Sequence, residues 1–163
     1  MCIRDSTRGE DKLGSTEFTF SRFLVPNLNE YNGWALFCDC DILFLNPVDE
    51  LFKLTNDKYA VMCVQHDYNP TGETKMDGRL QSIYPRKNWS SLVLWNCGHP
   101  SNKKVTKELV NDPSTTGKYL HRFSWLEDHE IGKVNHEWNW LVGWYDESKD
   151  GYPKAIHLSL IHI

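Results

Sequence analysis

Long apolar runs are missing from this sequence. No stretch approaches the ~20 residues that span a bilayer, so no membrane span is expected. An excess of base is missing too: 18 Lys and Arg against 22 Asp and Glu leave a net charge of −4. Without a basic stripe, no nucleic-acid partner is expected. Paired cysteines at zinc-finger spacing do not occur. With Cys2 set aside, as explained below, Cys38, Cys40, Cys63 and Cys97 remain, three of them inside apolar, strand-like runs. Reduced core cysteine in a reducing compartment is the expectation, and a zinc set of Cys38, Cys40, His66 and His99 is the alternative. The expected location is therefore cytoplasmic, in a bacterial or viral-host cytosol, with the Golgi lumen as the alternative. Repeats, linkers and low-complexity tracts are also missing, and the length suits one domain with a sizeable core.

The two ends read as foreign. "MCIRDS" back-translates to ATGTGTATAAGAGACAG plus one base, and "LSLIHI" to CTGTCTCTTATACACATC. With these codons the two runs are reverse complements, as one sequencing adapter translated at both ends would be. Residues 1–6 and 158–163 are therefore expected to be adapter-derived and are set aside from fold reasoning, which leaves residues 7–157 as a partial domain. An intact source locus encoding the same end residues would contradict this expectation.

What is present alternates between strand-like and helix-like runs. Ser15 can cap a helix, with Glu17 in its first turn. Phe20, Phe23, Leu24 and Leu28 form its apolar face, and Pro26 interrupts it. Gly33 then breaks the chain. "WALFC" follows without polar alternation, as in a strand buried on both faces of a parallel sheet. "PVDELFKL" reads as a short helix opened by Pro47. "YAVMCVQ" (59–65) and "SSLVLWN" (90–96) read as further strands, separated by a polar loop over 66–88. Residues 102–112 and "STTGKYLHRF" read as helical. "WLEDHEIGKVNHEWNWLVGW" reads as a short helix and then a loop, and "PKAIH" (153–157) as a last strand. This alternation predicts an α/β fold with a largely parallel sheet.

Two acids stand out against the apolar pattern. In "WALFCDCDILFLNP", Asp39 and Asp41 follow a core-like strand with one residue between them. In extended chain, residues two apart point the same way, so both carboxylates can aim at one point. Ligands of open α/β sheets lie beyond the carboxyl ends of the strands. Converging carboxylates repel unless a proton or cation intervenes, and Mg²⁺ or Mn²⁺ bridging to phosphate satisfies them. Solvated acids at a strand end, or a cap for the "PVDELF" helix, are the simpler readings of a lone Asp-x-Asp. The apolar flanks on both sides favour the cation. A calcium loop from Asp39 fails because its sixth position is Phe44 rather than Gly. One from Asp67, Asn69 and Gly72 fails because its twelfth position is Gly78 rather than Glu. Asn88-Trp89-Ser90 is a glycosylation sequon, discounted because it abuts a strand. Trp138, Trp140 and Trp144 read as packing ahead of a sugar platform.

The run "TFSRFLVPNLNEYNGWALFCDCDILFLNPVDELF" resembles the nucleotide-sugar-dependent glycosyltransferases of the glycogenin and galactosyltransferase type, glycosyltransferase family 8. Helix, strand, acid pair and following helix occur in the family's order, and the likeness extends over most of residues 16–157. It implies a nucleotide-diphospho-sugar transferase (GT-A-like) fold with a Rossmann-type sheet. The implied activity is hexosyltransferase-like: metal-dependent movement of a sugar from a nucleoside-diphosphate sugar to an acceptor hydroxyl on a glycan, lipid or protein. The resemblance makes Asp39 and Asp41 donor and metal ligands, with Mn²⁺ or Mg²⁺ as the ion. Arg22 then contacts the donor and His157 is a third metal ligand. "WSSLVLWN" matches a family run in which Trp89 and Ser91 replace Asn and Gly. Glu127 and Asp128 fall near the family's Asp-Gln site and are the implied catalytic acids, while Trp138-Asn139 resembles a Trp-Asn that follows it. A nucleotidyltransferase that makes the nucleotide sugar, or a non-catalytic sugar- or metal-binding module, are the competing readings.

Overall fold

The computed structural model describes residues 19–67, 86 and 88–158. The Ser15 cap, Glu17, Asn69, Gly72 and nearly all of the 66–88 loop lie outside the described residues. Among the described residues seven strands form two sheets: β1 (Trp34–Cys38), β2 (Ile42–Phe44), β3 (Val61–Val64), β4 (Leu92–Asn96), β5 (Ile131–Val134), β6 (Trp140–Leu141) and β7 (Ala155–His157). The larger sheet has the order β1-β4-β3-β5 and the smaller β2-β7-β6. The helices α1 (Val25–Leu28), α2 (Val48–Phe52), α3 (Lys107–Asn111), α4 (Gly117–His121) and α5 (Glu147–Asp150) are each four or five residues long.

The expected parallel sheet is corrected to a mixed one. In the larger sheet β4 runs antiparallel to both β1 and β3, while β3 and β5 pair in parallel. In the smaller sheet β7 pairs antiparallel with β2 and parallel with β6. Burial on both faces makes a strand apolar throughout, whichever way its neighbours run. "WALFC" forms β1 over the expected residues, but as an edge strand it is half-buried along its whole length. Gly33 precedes it with φ +62°, a conformation that costs glycine little.

Alternation along the strands builds two cores. Val61, Cys63, Val93, Trp95 and Ile131 face one side of the larger sheet, under Phe20, Phe23, Leu24, Val110, Leu120 and Trp125. Met62, Val64, Leu92, Leu94 and Val134 face the other, under Leu51, Trp138 and Ala155. Phe23 meets Trp95 and Trp125 edge-on at 6.3 and 6.2 Å between ring centroids. Such pairs add about 0.5–1.5 kcal/mol beyond the area they bury. The helix expected over the first apolar face is a 3-10 turn (Ser21–Leu24) running into α1, with Pro26 in the first turn of α1. Phe20, Phe23 and Leu24 are buried as expected, whereas Leu28 is 52% exposed, because α1 ends there.

β5 was not expected. "IGKV" is four residues long, with Lys133 exposed, too short for a clear period. It fits beside β3 because Gly132 has no side chain. A Cβ there would lie 2.7 Å from both Met62 Cγ and Tyr59 Cδ2. Gly132→Ala is therefore predicted to cost about 1–3 kcal/mol by overpacking. A lowered urea midpoint checks this, and an unchanged midpoint contradicts it.

Candidate metal centre

β1 ends at Cys38, and the chain turns at once into β2 of the other sheet. The turn is closed by the Ile42 amide donating to the Asp39 carbonyl at 3.3 Å. The two acids thus converge through a tight turn between two sheets rather than along an extended strand. Cys40 sits exposed at its tip. The Asp39 amide donates to the Ser91 carbonyl at 2.8 Å, which ties the turn to the start of β4. β7 pairs antiparallel with β2, with His157 opposite Ile42. The Leu158 amide donates to the Asp41 carbonyl at 2.8 Å, which fixes the imidazole beside the acids.

Asp39, Asp41 and His157 each offer one ligand atom, and these atoms lie within 4.8 Å of one another. His157 Nε2 is 3.4 Å from Asp41 Oδ2. Two carboxylates and one imidazole form a donor set that suits a divalent cation such as Mn²⁺. The spacing is near twice a metal–oxygen bond of about 2.1 Å. Among the described residues no other group of three such side chains converges. Cys38, Cys40, His66 and His99 do not form the alternative zinc set.

Arg22 holds Asp39 in place beside the core strand. Its guanidinium grips Asp39 as a fork, Nη2 to Oδ1 at 2.9 Å and Nη1 to Oδ2 at 3.5 Å. Nη1 also donates to the Ser90 carbonyl at 2.8 Å, and Nε to the Thr19 carbonyl at 3.2 Å. The fork leaves lone pairs on both carboxylate oxygens for a cation. Burial nevertheless raises the Asp39 pKa above the usual carboxylate value, against the lowering by Arg22 and His157. Burial thus works against the charge on Asp39, and a bound cation would work in its favour, as Arg22 does.

Three more polar side chains occupy the same end of the sheet. His66 lies two residues past β3 and is 5% exposed. Its Nδ1 is 2.8 Å from the Tyr145 hydroxyl, and its Nε2 is buried without a hydrogen-bond partner. Burial first, then His157 and His136, push its pKa down to about 3. Asn139, fully buried, donates from Nδ2 to Ser91 Oγ at 2.8 Å. His121 Nδ1 is 2.8 Å from Ser90 Oγ, and burial and Arg22 push its pKa down to about 3. His66 entered the sequence reading only as a zinc alternative, and the signal for its burial is its place directly after an apolar strand. Trp89 packs against the first core and donates from Nε1 to the His66 carbonyl at 3.1 Å.

Glu127 and Asp128 are not brought to this cluster. They precede β5 in a 3-10 turn capped by Glu127 and Glu130. The Glu130 carbonyl accepts from the Ala60 amide at the start of β3. Asp39 instead follows the finish of β1, which runs in the same sense as β3 because both are antiparallel to β4. The two stretches therefore stand at opposite ends of the sheet. Both acids are exposed, and Asp128 pairs with Arg86. The structure therefore does not bring these two expected catalytic acids beside the acid pair; they stand in a capping turn. Of the tryptophans, Trp138 and Trp140 are buried and Trp144 is 42% exposed. No helix among the described residues is long and apolar enough to cross a membrane.

No family model matches the chain. It is 56% identical over 153 residues to "Protein CDI" of Arabidopsis thaliana, an alignment covering 92% of this chain. The chain spans 58% of that relative's length. Among solved structures it is similar to the apo form of the glycosyltransferase GlyE of Streptococcus pneumoniae TIGR4, with a TM-score of 0.56 at 12% identity. That match covers 90% of this chain and 38% of the other. The apo bifunctional glycosyltransferase WbbM matches with a TM-score of 0.55 at 14% identity, over 94% of this chain and 32% of the other. Mouse xyloside xylosyltransferase 1, apo form, matches with 0.53 at 13% identity, over 91% and 66%. With its two mixed sheets and short covering helices, the chain has the GT-A-like α/β fold of glycosyltransferases.

Proposed function

We propose that the chain belongs to a metal-dependent glycosyltransferase and holds its donor site at Asp39, Asp41 and His157. The observation that carries this reading is the convergence of these three side chains at the strand ends of a glycosyltransferase fold. The donor is a nucleoside-diphosphate sugar, and the acceptor is a hydroxyl group.

Breaking the bond between sugar and diphosphate builds negative charge on the leaving diphosphate. Mn²⁺ or Mg²⁺ held by Asp39, Asp41 and His157 supplies Lewis-acid stabilisation of that charge when bound. Arg22 keeps Asp39 oriented through its fork and adds positive charge beside it. The turn closed by Ile42 and the tie to Ser91 hold both carboxylates still, so little reorganisation is needed on binding. The neutral His66 and His121 add no competing positive charge to the same end of the sheet.

The test is incubation with Mn²⁺ and a panel of nucleotide sugars, followed by assay of free nucleoside diphosphate. Release that depends on Mn²⁺ is the expected result. Pyrophosphate release from a nucleoside triphosphate plus a sugar phosphate would point to a nucleotidyltransferase instead. Mn²⁺ and nucleoside-diphosphate binding without turnover of any donor would leave a binding module.

A further inference from the structure

A second site adjoins the acids at the same end of the sheet. Past the carboxyl ends of β3 and β5 the chain encloses an open cavity of about 560 Å³, within the usual range for small-molecule sites. Gln65, Asp67, Lys133 and Asn135 supply its polar groups, and Trp144 and Tyr145 its aromatic ones. Tyr145 is held from behind. Its ring stacks on His136 with centroids 4.7 Å apart, it packs on Trp140 at 5.2 Å, and its hydroxyl meets His66 Nδ1 at 2.8 Å. His66 is in turn fixed by the Trp89 indole donating to its carbonyl.

Three properties of this cavity narrow the ligand. The carboxylate of Asp67 and the ammonium of Lys133 balance, so the lining selects neither an anion nor a cation. Two carboxamides and this charged pair can donate to and accept from several hydroxyls at once. The exposed indole of Trp144 suits the C–H face of a sugar ring, which is apolar while its edge is polar. A lipid chain would leave these polar groups unpaired, at a cost.

Position adds a fourth constraint. Neighbouring strands lie about 4.8 Å apart, so β3 and β5 stand roughly 10 and 14 Å along the sheet from β1. A diphosphate on Asp39 and Asp41 can therefore point its sugar toward the cavity without filling it.

We infer that this cavity binds a neutral carbohydrate, and that the acceptor hydroxyl belongs to a sugar rather than to a protein or a lipid. The acceptor assignment rests on the donor-site reading above, whereas carbohydrate binding by the cavity does not. Trp144 is the stacking platform, Asp67, Lys133, Gln65 and Asn135 read the hydroxyls, and His66 positions Tyr145.

Saturation-transfer NMR with a panel of methyl hexosides, methyl pentosides and disaccharides tests this, with nucleotide and metal left out. Transfer to ring protons of at least one neutral glycoside is expected. Affinity should fall about tenfold in Trp144→Ala and measurably in Lys133→Ala, an exposed position that does not threaten folding. It should be unchanged in Asp41→Asn. No transfer to any glycoside, or transfer undiminished in both cavity variants, overturns the inference. Glycoside binding without any Mn²⁺ binding would fail the donor-site reading and leave the cavity standing. Mn²⁺-dependent turnover with only peptide or lipid acceptors would do the reverse.

Discussion

Asp41→Asn is expected to lower Mn²⁺ affinity by at least about 100-fold while the fold stays intact. Loss of a residue that merely supports a metal ligand typically costs 10–100-fold, and Asp41 is placed to be a ligand itself. The same variant should lower kcat by about 10²–10³-fold, the usual cost of removing one group that stabilises charge in the transition state. Asp41 isolates the metal better than Asp39 does. Among the described residues its carboxylate forms its ion pair with His157, at 3.4 Å, and its side chain is 29% exposed. Its neutralisation should therefore move the unfolding free energy by no more than about 0.5 kcal/mol. Asp39→Asn would also disturb the Arg22 fork and so mix two effects. Calorimetric Mn²⁺ titration, run beside urea unfolding of each variant, separates binding from stability. Wild-type Mn²⁺ affinity in Asp41→Asn would contradict the prediction.

The second large effect is acid lability without added metal. His66 and His121 have folded pKa values of about 3, against about 6.5 in an unfolded chain. Between these values the unfolded state holds two protons that the folded state does not. Stability is therefore full above about pH 6.5 and falls as pH drops below it, toward the folded value near 3. Each histidine contributes about 1.4 kcal/mol per pH unit. From about pH 7.5 to pH 5 the two together remove on the order of 4 kcal/mol. Asp39 works in the opposite sense, because its raised pKa lets acid relieve a buried charge. Urea unfolding over this range should show the loss, with about half of it absent in His121→Gln. A free energy flat to within about 1 kcal/mol would contradict it.

Much of the site was legible because its signals are local. Asp39 and Asp41 interrupt an otherwise apolar run, and the geometry brings His157, from a strand more than a hundred residues on, beside them. Arg22 was legible only through the family resemblance, since nothing in "SRFL" shows that its guanidinium will reach past Phe37 to Asp39. What was not legible depends on pairing. Strand direction leaves no mark on "YAVMCV" or "SSLVLW", which are buried on both faces whichever way they run. The four residues of β5 hold too few apolar positions to show a period, and their place was set by Gly132 fitting against Met62 and Tyr59. That Glu127 and Asp128 lie away from the acid pair was not legible for a related reason. Acids in a capping turn and acids in a catalytic turn look alike until the sheet shows which end they occupy.

The roles of His66 and Tyr145 were out of reach for the same reason. They stand 79 residues apart in sequence, and only the folded chain brings them together. The Asp39, Asp41 and His157 cluster and the cavity beside Tyr145 both lie at the same end of the larger sheet.

The most direct test of the central claim is pulsed electron paramagnetic resonance of the chain with Mn²⁺ and a nucleoside diphosphate. The account predicts ¹⁴N modulation from the His157 imidazole, lost in His157→Ala, together with ³¹P couplings from the added diphosphate. A bound Mn²⁺ signal with neither coupling, or with ¹⁴N modulation that persists in His157→Ala, would contradict it.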